Sequence, residues 1–350
     1  MGAKHLFALA ATLSAIIGLT PALSQAPRPG SLETYKDWII GCDNRGRCEA
    51  VSLMPEDRPW PDKPVMFGIV RGAEAAAGPE IWASRDAKGK ELLGFFVDGR
   101  KIASAESRDG ELVLQGPQAA ALAIAMARGT KLELRSGAAL IAQPSLAGAA
   151  AALRYMDARQ GRAGTVAALV ATGSLASNAV RAAPPVPSIR RALIPAGAEP
   201  ATLWREELAL LGKVTACADE MRDASPPELH RLSKTETLVL VPCGAGAYNF
   251  SSVPVIATGI PGRRTFRLAA FDYLPRWSDD AAHPVLVNAS WSPESSTLES
   301  YDKSRGAGDC GSSQAYVWDG VRFRLIEASA MRECRGAWHW ITTWSAKVVQ

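Results

Sequence analysis

Six cysteines follow an apolar leader and fall close together in twos: Cys42 with Cys48, Cys217 with Cys243, and Cys310 with Cys334. Residues 1–24 have the anatomy of a signal peptide. Lys4 and His5 precede an apolar run from Leu6 to Leu19, and Ala22 and Ser24 stand at small-x-small spacing, which places cleavage after Ser24. The run of about 14 residues is short of the ~20 that cross a bilayer, and no later stretch is long and apolar enough to do so. The expectation is therefore export to the periplasm or beyond, with no transmembrane anchor after cleavage. Export permits disulfides, and an even cysteine count with none in the leader makes them expected. If each half of the chain pairs within itself, Cys42–Cys48 follows, and the pairing among the other four stays open. No C-x-x-C is present and the four histidines are scattered, so neither a metal site nor a cofactor is expected.

The mature chain of roughly 326 residues suits two domains better than one. The stretch from Ser177 to Pro200 holds Pro184, Pro185, Pro187, Pro195 and Pro200 among Ala, Gly and Ser. Such a composition buries little apolar surface and favours extended backbone. The reading is an N-terminal α+β domain over 32–175, a linker over 176–199 and a β-rich domain over 200–350. Each is expected to be an antiparallel sheet or sandwich with a few helices, stapled by disulfides. A net charge of +4 with dispersed basic residues gives no track for phosphates, so nucleic acid is not an expected partner.

In the first half, Tyr35 to Ile40 and Cys48 to Leu53 read as strands around the turn Asp43-Asn44-Arg45-Gly46. Asp98-Gly99 between Leu92–Val97 and Lys101–Ala105 is a two-residue hairpin signal. Lys131 to Arg135 reads as a half-buried strand. Helices are expected over Gln118–Arg128, after Pro117 and before Gly129, and over Ser145–Arg159 with Ser145 as the cap. In the second half one helix, Ala201–Leu211, precedes strands at Leu238–Pro242, Val253–Thr258, Phe266–Tyr273, Val285–Trp291, Ala315–Trp318 and Phe323–Glu327. The last two are joined through Asp319-Gly320. Trp338, Trp340 and Trp344 share the parity of one strand face, where they either fill a core or form a stacking platform for glycan or peptide.

Several blocks carry a family resemblance. They are Tyr35-Lys36-Asp37-Trp38, Gly41-Cys42-Asp43-Asn44 and Cys48-Glu49-Ala50; Met156-Asp157 with Gln160-Gly161-Arg162; Cys243-Gly244 with Gly246-Ala247-Tyr248-Asn249; Gly306-x-Gly308-Asp309-Cys310-Gly311; and Val317-Trp318-Asp319-Gly320-x-x-Phe323. As a set over residues 32–340 they resemble the bacterial family catalogued as domain of unknown function 1176. The first half is also similar, more distantly, to the invasion-associated locus B family of exported proteins. The resemblance implies a Gram-negative periplasmic address and lends no catalytic residue.

Gly306 to Gly311 matches G-x-G-x-x-G, but a dinucleotide site needs a strand before it and a helix after it, and here a polar loop precedes and a strand is expected to follow. No G-x-S-x-G, H-E-x-x-H, Walker or EF-hand pattern occurs. The polar segment with most chemistry runs from Glu299 to Asp309. Glu299, Tyr301, Asp302 and Asp309 are the candidate ligand-binding residues. Carboxylates there, in a Gly/Ser-rich loop beside Cys310, suit Ca²⁺ ligation or an acid/base pair, or ion pairs with Lys303 and Arg305. Two readings follow: a non-enzymatic module binding an envelope component or protein partner, in which Asp302 and Asp309 are replaceable without loss of folding, and an envelope glycan or peptide hydrolase using the carboxylates of 299–309.

Overall fold

Ile39 and Ile40 are adjacent, so on a strand they point to opposite faces, yet neither is exposed to solvent. That double burial sets the architecture, because the sheet that contains them is covered on both sides. The structure, a computed structural model, describes residues 26–57, 59, 61, 63–197, 200, 202–275 and 283–350. The leader read over residues 1–24 lies outside the described residues.

Ten antiparallel strands form the first sheet: Leu32–Tyr35 (β1), Trp38–Cys42 (β2), Cys48–Ser52 (β3), Val65–Arg71 (β4), Pro79–Arg85 (β5), Lys90–Val97 (β6), Arg100–Arg108 (β7), Glu111–Leu114 (β8), Leu132–Ser136 (β9) and Ala139–Ala142 (β10). Their order is β1-β2-β3-β4-β5-β8-β7-β6-β9-β10. The expected single strand over Tyr35–Ile40 is a tight hairpin instead: Lys36 takes a left-handed φ of 52°, and Tyr35 pairs with Trp38. Asp98 (φ 48°) and Gly99 (φ 80°) both adopt the left-handed conformation that a two-residue hairpin requires.

Helices Gly116–Arg128 (α1) and Ala149–Arg159 (α2) cover one face, where Leu122, Met126, Leu153 and Met156 pack with Trp38, Ile40, Phe67 and Phe95. The second helix starts later than Ser145. The Ser145 hydroxyl donates to Asp37 Oδ2 (2.6 Å), and Gly148, at φ 97°, occupies the cap. A Cβ at Gly148 would lie 1.7 Å from the Tyr35 carbonyl oxygen, so no other residue fits the chain entry there.

Within 176–199, Ser188–Arg190 (β11) pairs in parallel with the C-terminal strand Lys347–Val349, and Val180 and Ile189 are buried. Helices Arg205–Thr215 (α3) and Glu220–Asp223 (α4) then precede a sheet of Glu228–Arg231 (β12), Glu236–Ala245 (β13), Phe250–Thr258 (β14) and Thr265–Leu268 (β15), with Leu286–Val287 (β16) on the edge of β14. A further sheet runs Ser290–Ser292 (β17), Thr297–Lys303 (β18), Gly311–Trp318 (β19), Phe323–Met331 (β20) and Ile341–Ser345 (β21); the terminal Lys347–Val349 is β22. The two sheets share a core of Leu238, Leu240, Ile256, Leu298, Tyr316, Trp318, Phe323 and Leu325. The expected strand Phe266–Tyr273 stops at Leu268. The expected strand Val285–Trp291 is broken at Asn288, whose φ of 44° no continuous strand accommodates.

The fold is mostly β, with several antiparallel sheets, four α-helices among the described residues and disulfides Cys42–Cys48, Cys217–Cys243 and Cys310–Cys334. The pairing left open by the sequence is thus the nearest-neighbour one. The second face of the first sheet is covered by the C-terminal half: Leu32, Ile39, Val51 and Leu53 pack with Cys310, Met331, Ala337 and Ile341.

Candidate ligand-binding surface

Strand β18 carries Glu299, Tyr301 and Asp302, and the alternation of a strand separates them. Glu299 and Tyr301 share one face; Asp302 points to the other. Glu299 is exposed and has Ser290 Oγ 3.4 Å away. Asp302 is partly buried beside the tip of the β13–β14 hairpin, where Asn249 Nδ2 donates to its Oδ1 (2.9 Å) and to the Lys303 carbonyl (2.8 Å). Burial pushes the Asp302 carboxyl above the ordinary carboxylate range, and the Asn249 hydrogen bond offsets only part of that.

Asp309 is fully buried and committed. Arg305 donates to both of its oxygens (2.7 and 2.5 Å), and the Gly336 N–H donates to Oδ2 (2.8 Å). Burial alone would raise its pKa, but the Arg305 hydrogen bonds and the Gly336 N–H outweigh burial and hold it low. Asp309 therefore pins the 305–309 loop to the Gly336 turn, and the expectation of a dispensable loop carboxylate is corrected. With Glu299 and Asp302 on opposite faces and Asp309 paired with Arg305, these three groups do not form an acid/base pair or a cation cage. Among the described residues no group of three or more His, Cys, Asp or Glu is placed to hold a metal ion.

The structure brings aromatic rings to this loop. Tyr301, 41% exposed, lies flat on Trp340 with centroids 4.6 Å apart and planes 5° apart. Trp338, 38% exposed, donates its indole N–H to the Ala307 carbonyl (2.9 Å). Tyr248 closes the other side, its hydroxyl donating to the Ser304 carbonyl (3.3 Å) and its ring under Lys303 Nζ at 5.7 Å. The shared strand face expected for the three C-terminal tryptophans is corrected. Trp338 and Trp340 precede β21, and Trp344 packs on the sandwich core and donates to the Leu325 carbonyl (3.2 Å). Gly308 (φ 70°) and Gly311 (φ 148°) let the loop turn beside Cys310, and the strand β19, not a helix, follows.

A family of proteins described as "Protein of unknown function (DUF1176)" matches residues 32–347. The chain belongs to the DUF1176 family. The uncharacterized protein YpfG of Escherichia coli K12 is 26% identical over 339 residues, covering 89% of this DUF1176 chain and 91% of YpfG. No solved structure matches this chain. The likeness of the first half to the invasion-associated locus B family finds no support in these comparisons.

The blocks that suggested the DUF1176 resemblance hold distant segments together. Asp157, fully buried, accepts the N–H groups of Leu169, Val170 and Ala171 (2.9, 2.8 and 3.1 Å). Gln160 Nε2 donates to the carbonyls of Gly46, Arg71 and Gly72, and Arg162 donates to those of Gly72, Glu74 and Ala75. Asn249 links the β13–β14 tip to β18 and to Asn288, whose Nδ2 donates to Asn249 Oδ1 (3.0 Å). The Asp157–Arg162 and Asn249 blocks thus supply polar side chains that satisfy backbone groups of distant segments, which is the condition for burying irregular segments.

Proposed function

We propose that this DUF1176 protein is exported to the bacterial periplasm and serves there as a non-enzymatic binding module for an envelope glycan. Export is supported by the leader and by three disulfides, which persist in oxidising compartments. The observation that carries the binding reading is the Tyr301–Trp340 stack and exposed Trp338, next to a loop held by the Cys310–Cys334 bridge and the Asp309 pin. Flat aromatic faces held in place are what the apolar faces of sugar rings stack on, and rigidity lowers the entropy cost of binding. The hydrolase reading is disfavoured because it needs two convergent carboxylates and β18 sends its two to opposite faces. On this reading residues 32–175 and 200–350 are two units docked through the Ile39–Ile341 contact.

Co-sedimentation with insoluble peptidoglycan, and titration with soluble glycan fragments, tests the proposal. The double variant Tyr301→Ala/Trp338→Ala is expected to bind about five- to tenfold more weakly, the scale of losing aromatic contacts. Its circular dichroism should be unchanged, because both side chains are substantially exposed. Equal binding by wild type and variant, or none by wild type, overturns the reading.

A further inference from the structure

One cleft of different chemistry shares no lining residue with the aromatic loop. This cleft, of ≈ 550 Å³, opens where the 26–30 strap, the turn at 43–46, the end of α2 and the 179–184 strap meet. Four arginines line it, one from each segment: Arg28, Arg45, Arg159 and Arg181. Among the described residues no carboxylate pairs with Arg28, Arg159 or Arg181, and Arg45 meets only exposed Glu74, at 4.0 Å. Arg45 Nε is shielded from water and has no acceptor. The lining holds a single acid, Asp43, whose Oδ1 accepts the N–H groups of Arg45 and Arg47 in the turn (2.9 Å each), against four arginines.

The floor adds positive charge. Gln160 lines the cleft, and its Oε1 accepts from Arg162 Nε (3.1 Å) while its Nε2 donates to the Arg71 carbonyl. Arg162 and Arg71 are both buried and share the buried carboxylate Asp157, with Arg71 Nη1 3.7 Å from Asp157 Oδ1. Burial and then repulsion from Arg162 lower the Arg71 pKa to about 10, with Asp157 acting in the opposite direction. One basic residue at the end of α2 is what a helix C-terminus favours; four from separate segments do not follow from that.

The geometry points to a binding site for a phosphorylated ligand, a phosphomonoester or diphosphate held by the guanidinium groups of Arg28, Arg45, Arg159 and Arg181. Arginine suits this chemistry because its planar fork donates two parallel hydrogen bonds to one phosphate and keeps its charge at any ordinary pH. The volume is in the range that holds a small headgroup rather than a lone ion. The phosphate belongs either to a soluble ester or to a lipid headgroup, and the experiment separates these sources.

The disulfide-bonded protein is titrated with inorganic phosphate and with pyrophosphate, followed by ³¹P line broadening, and is sedimented with phosphatidylglycerol and with phosphatidylcholine vesicles. Wild type is expected to broaden pyrophosphate, or to sediment with phosphatidylglycerol, and to release either as salt rises. Arg159→Ala/Arg181→Ala, both exposed positions, is expected to weaken binding about tenfold or more, the scale of losing charge-assisted hydrogen bonds. Binding to pyrophosphate alone assigns a soluble ester, and binding to phosphatidylglycerol alone assigns a lipid headgroup. Binding to neither, or binding that the double variant retains in full, overturns the site. The aromatic loop is independent of this cleft, so failure here leaves the glycan reading standing.

Discussion

His339 Nε2 lies 2.8 Å from Glu49 Oε1, joining the C-terminal half of the chain to the first sheet. The same carboxylate, 2% exposed, accepts the Trp82 indole N–H (3.0 Å) and Arg47 Nη1 (3.1 Å), and the His339 ring packs on Trp82 with centroids 4.5 Å apart. Burial raises the Glu49 pKa, but the His339 and Arg47 interactions outweigh it and leave it below its usual value of 4.5. A carboxyl with a depressed folded-state pKa stabilises the protein above its unfolded pKa. That stability is lost as pH falls through the folded pKa. Glu49→Gln is therefore expected to cost about 1–3 kcal/mol at pH 7 and to make stability less steep below about pH 4.5. Urea denaturation from pH 3 to 7 checks this; identical pH profiles for variant and wild type would exclude it.

Asp302 runs the opposite way. Its pKa is raised by burial, so the folded state holds its proton more tightly than the unfolded state does. Stability then falls as pH rises through the window between the unfolded and folded values, and the ionised group opposes folding at neutral pH. Asp302→Asn keeps an oxygen for the Asn249 donor and removes the charge. Its melting temperature is expected to equal or exceed that of wild type at pH 7, with the gap closing in acid. A clear drop at pH 7 would contradict this.

Asp309→Asn should behave as a core defect. Loss of the charge weakens both Arg305 hydrogen bonds, and the new amide faces N–H donors it cannot all accept. The expected cost is about 2–3 kcal/mol, the range for a buried charged hydrogen-bond acceptor. Chemical denaturation measures it, and a variant as stable as wild type would remove Asp309 from its role as a pin.

Cys310→Ser/Cys334→Ser opens a bridge spanning 24 residues. Chain entropy sets the expected loss at about 3–3.5 kcal/mol. Because this bridge ties the 305–309 loop to the segment carrying Trp338 and Trp340, glycan affinity should fall with it. Stability lost with affinity intact would separate the staple from the binding surface.

Much of the local structure was legible. Asp98-Gly99 marked its hairpin because few residues other than Asn, Asp and Gly tolerate positive φ there. Pro117 and the small apolar residues after it marked α1. Other readings failed where a distant partner decided the outcome. Ser145 has the chemistry of a cap and accepts the Ala147 N–H (3.1 Å) while donating to Asp37, but Gly148 at φ 97° turns the chain before the helix begins at Ala149. Trp338 and Trp340 have strand parity, but they lie in the loop before β21, where Trp338 donates to the Ala307 carbonyl and Trp340 stacks on Tyr301. Asp309 is one polar residue among several in the sequence, and the Gly336 N–H that fixes its role comes from 27 positions later.

The sequence by itself determined the β-rich character, the family and the local range of the disulfides. These rest on residue type and short spacing, which act over a few bonds. Only the tertiary structure decided that Glu299 and Asp302 diverge, that Tyr301 meets Trp340, and that four arginines from separate segments face one cleft. Those outcomes depend on sheet register and on the packing of both halves across Ile39 and Ile341, and long-range burial of this kind leaves no pattern in neighbouring residues.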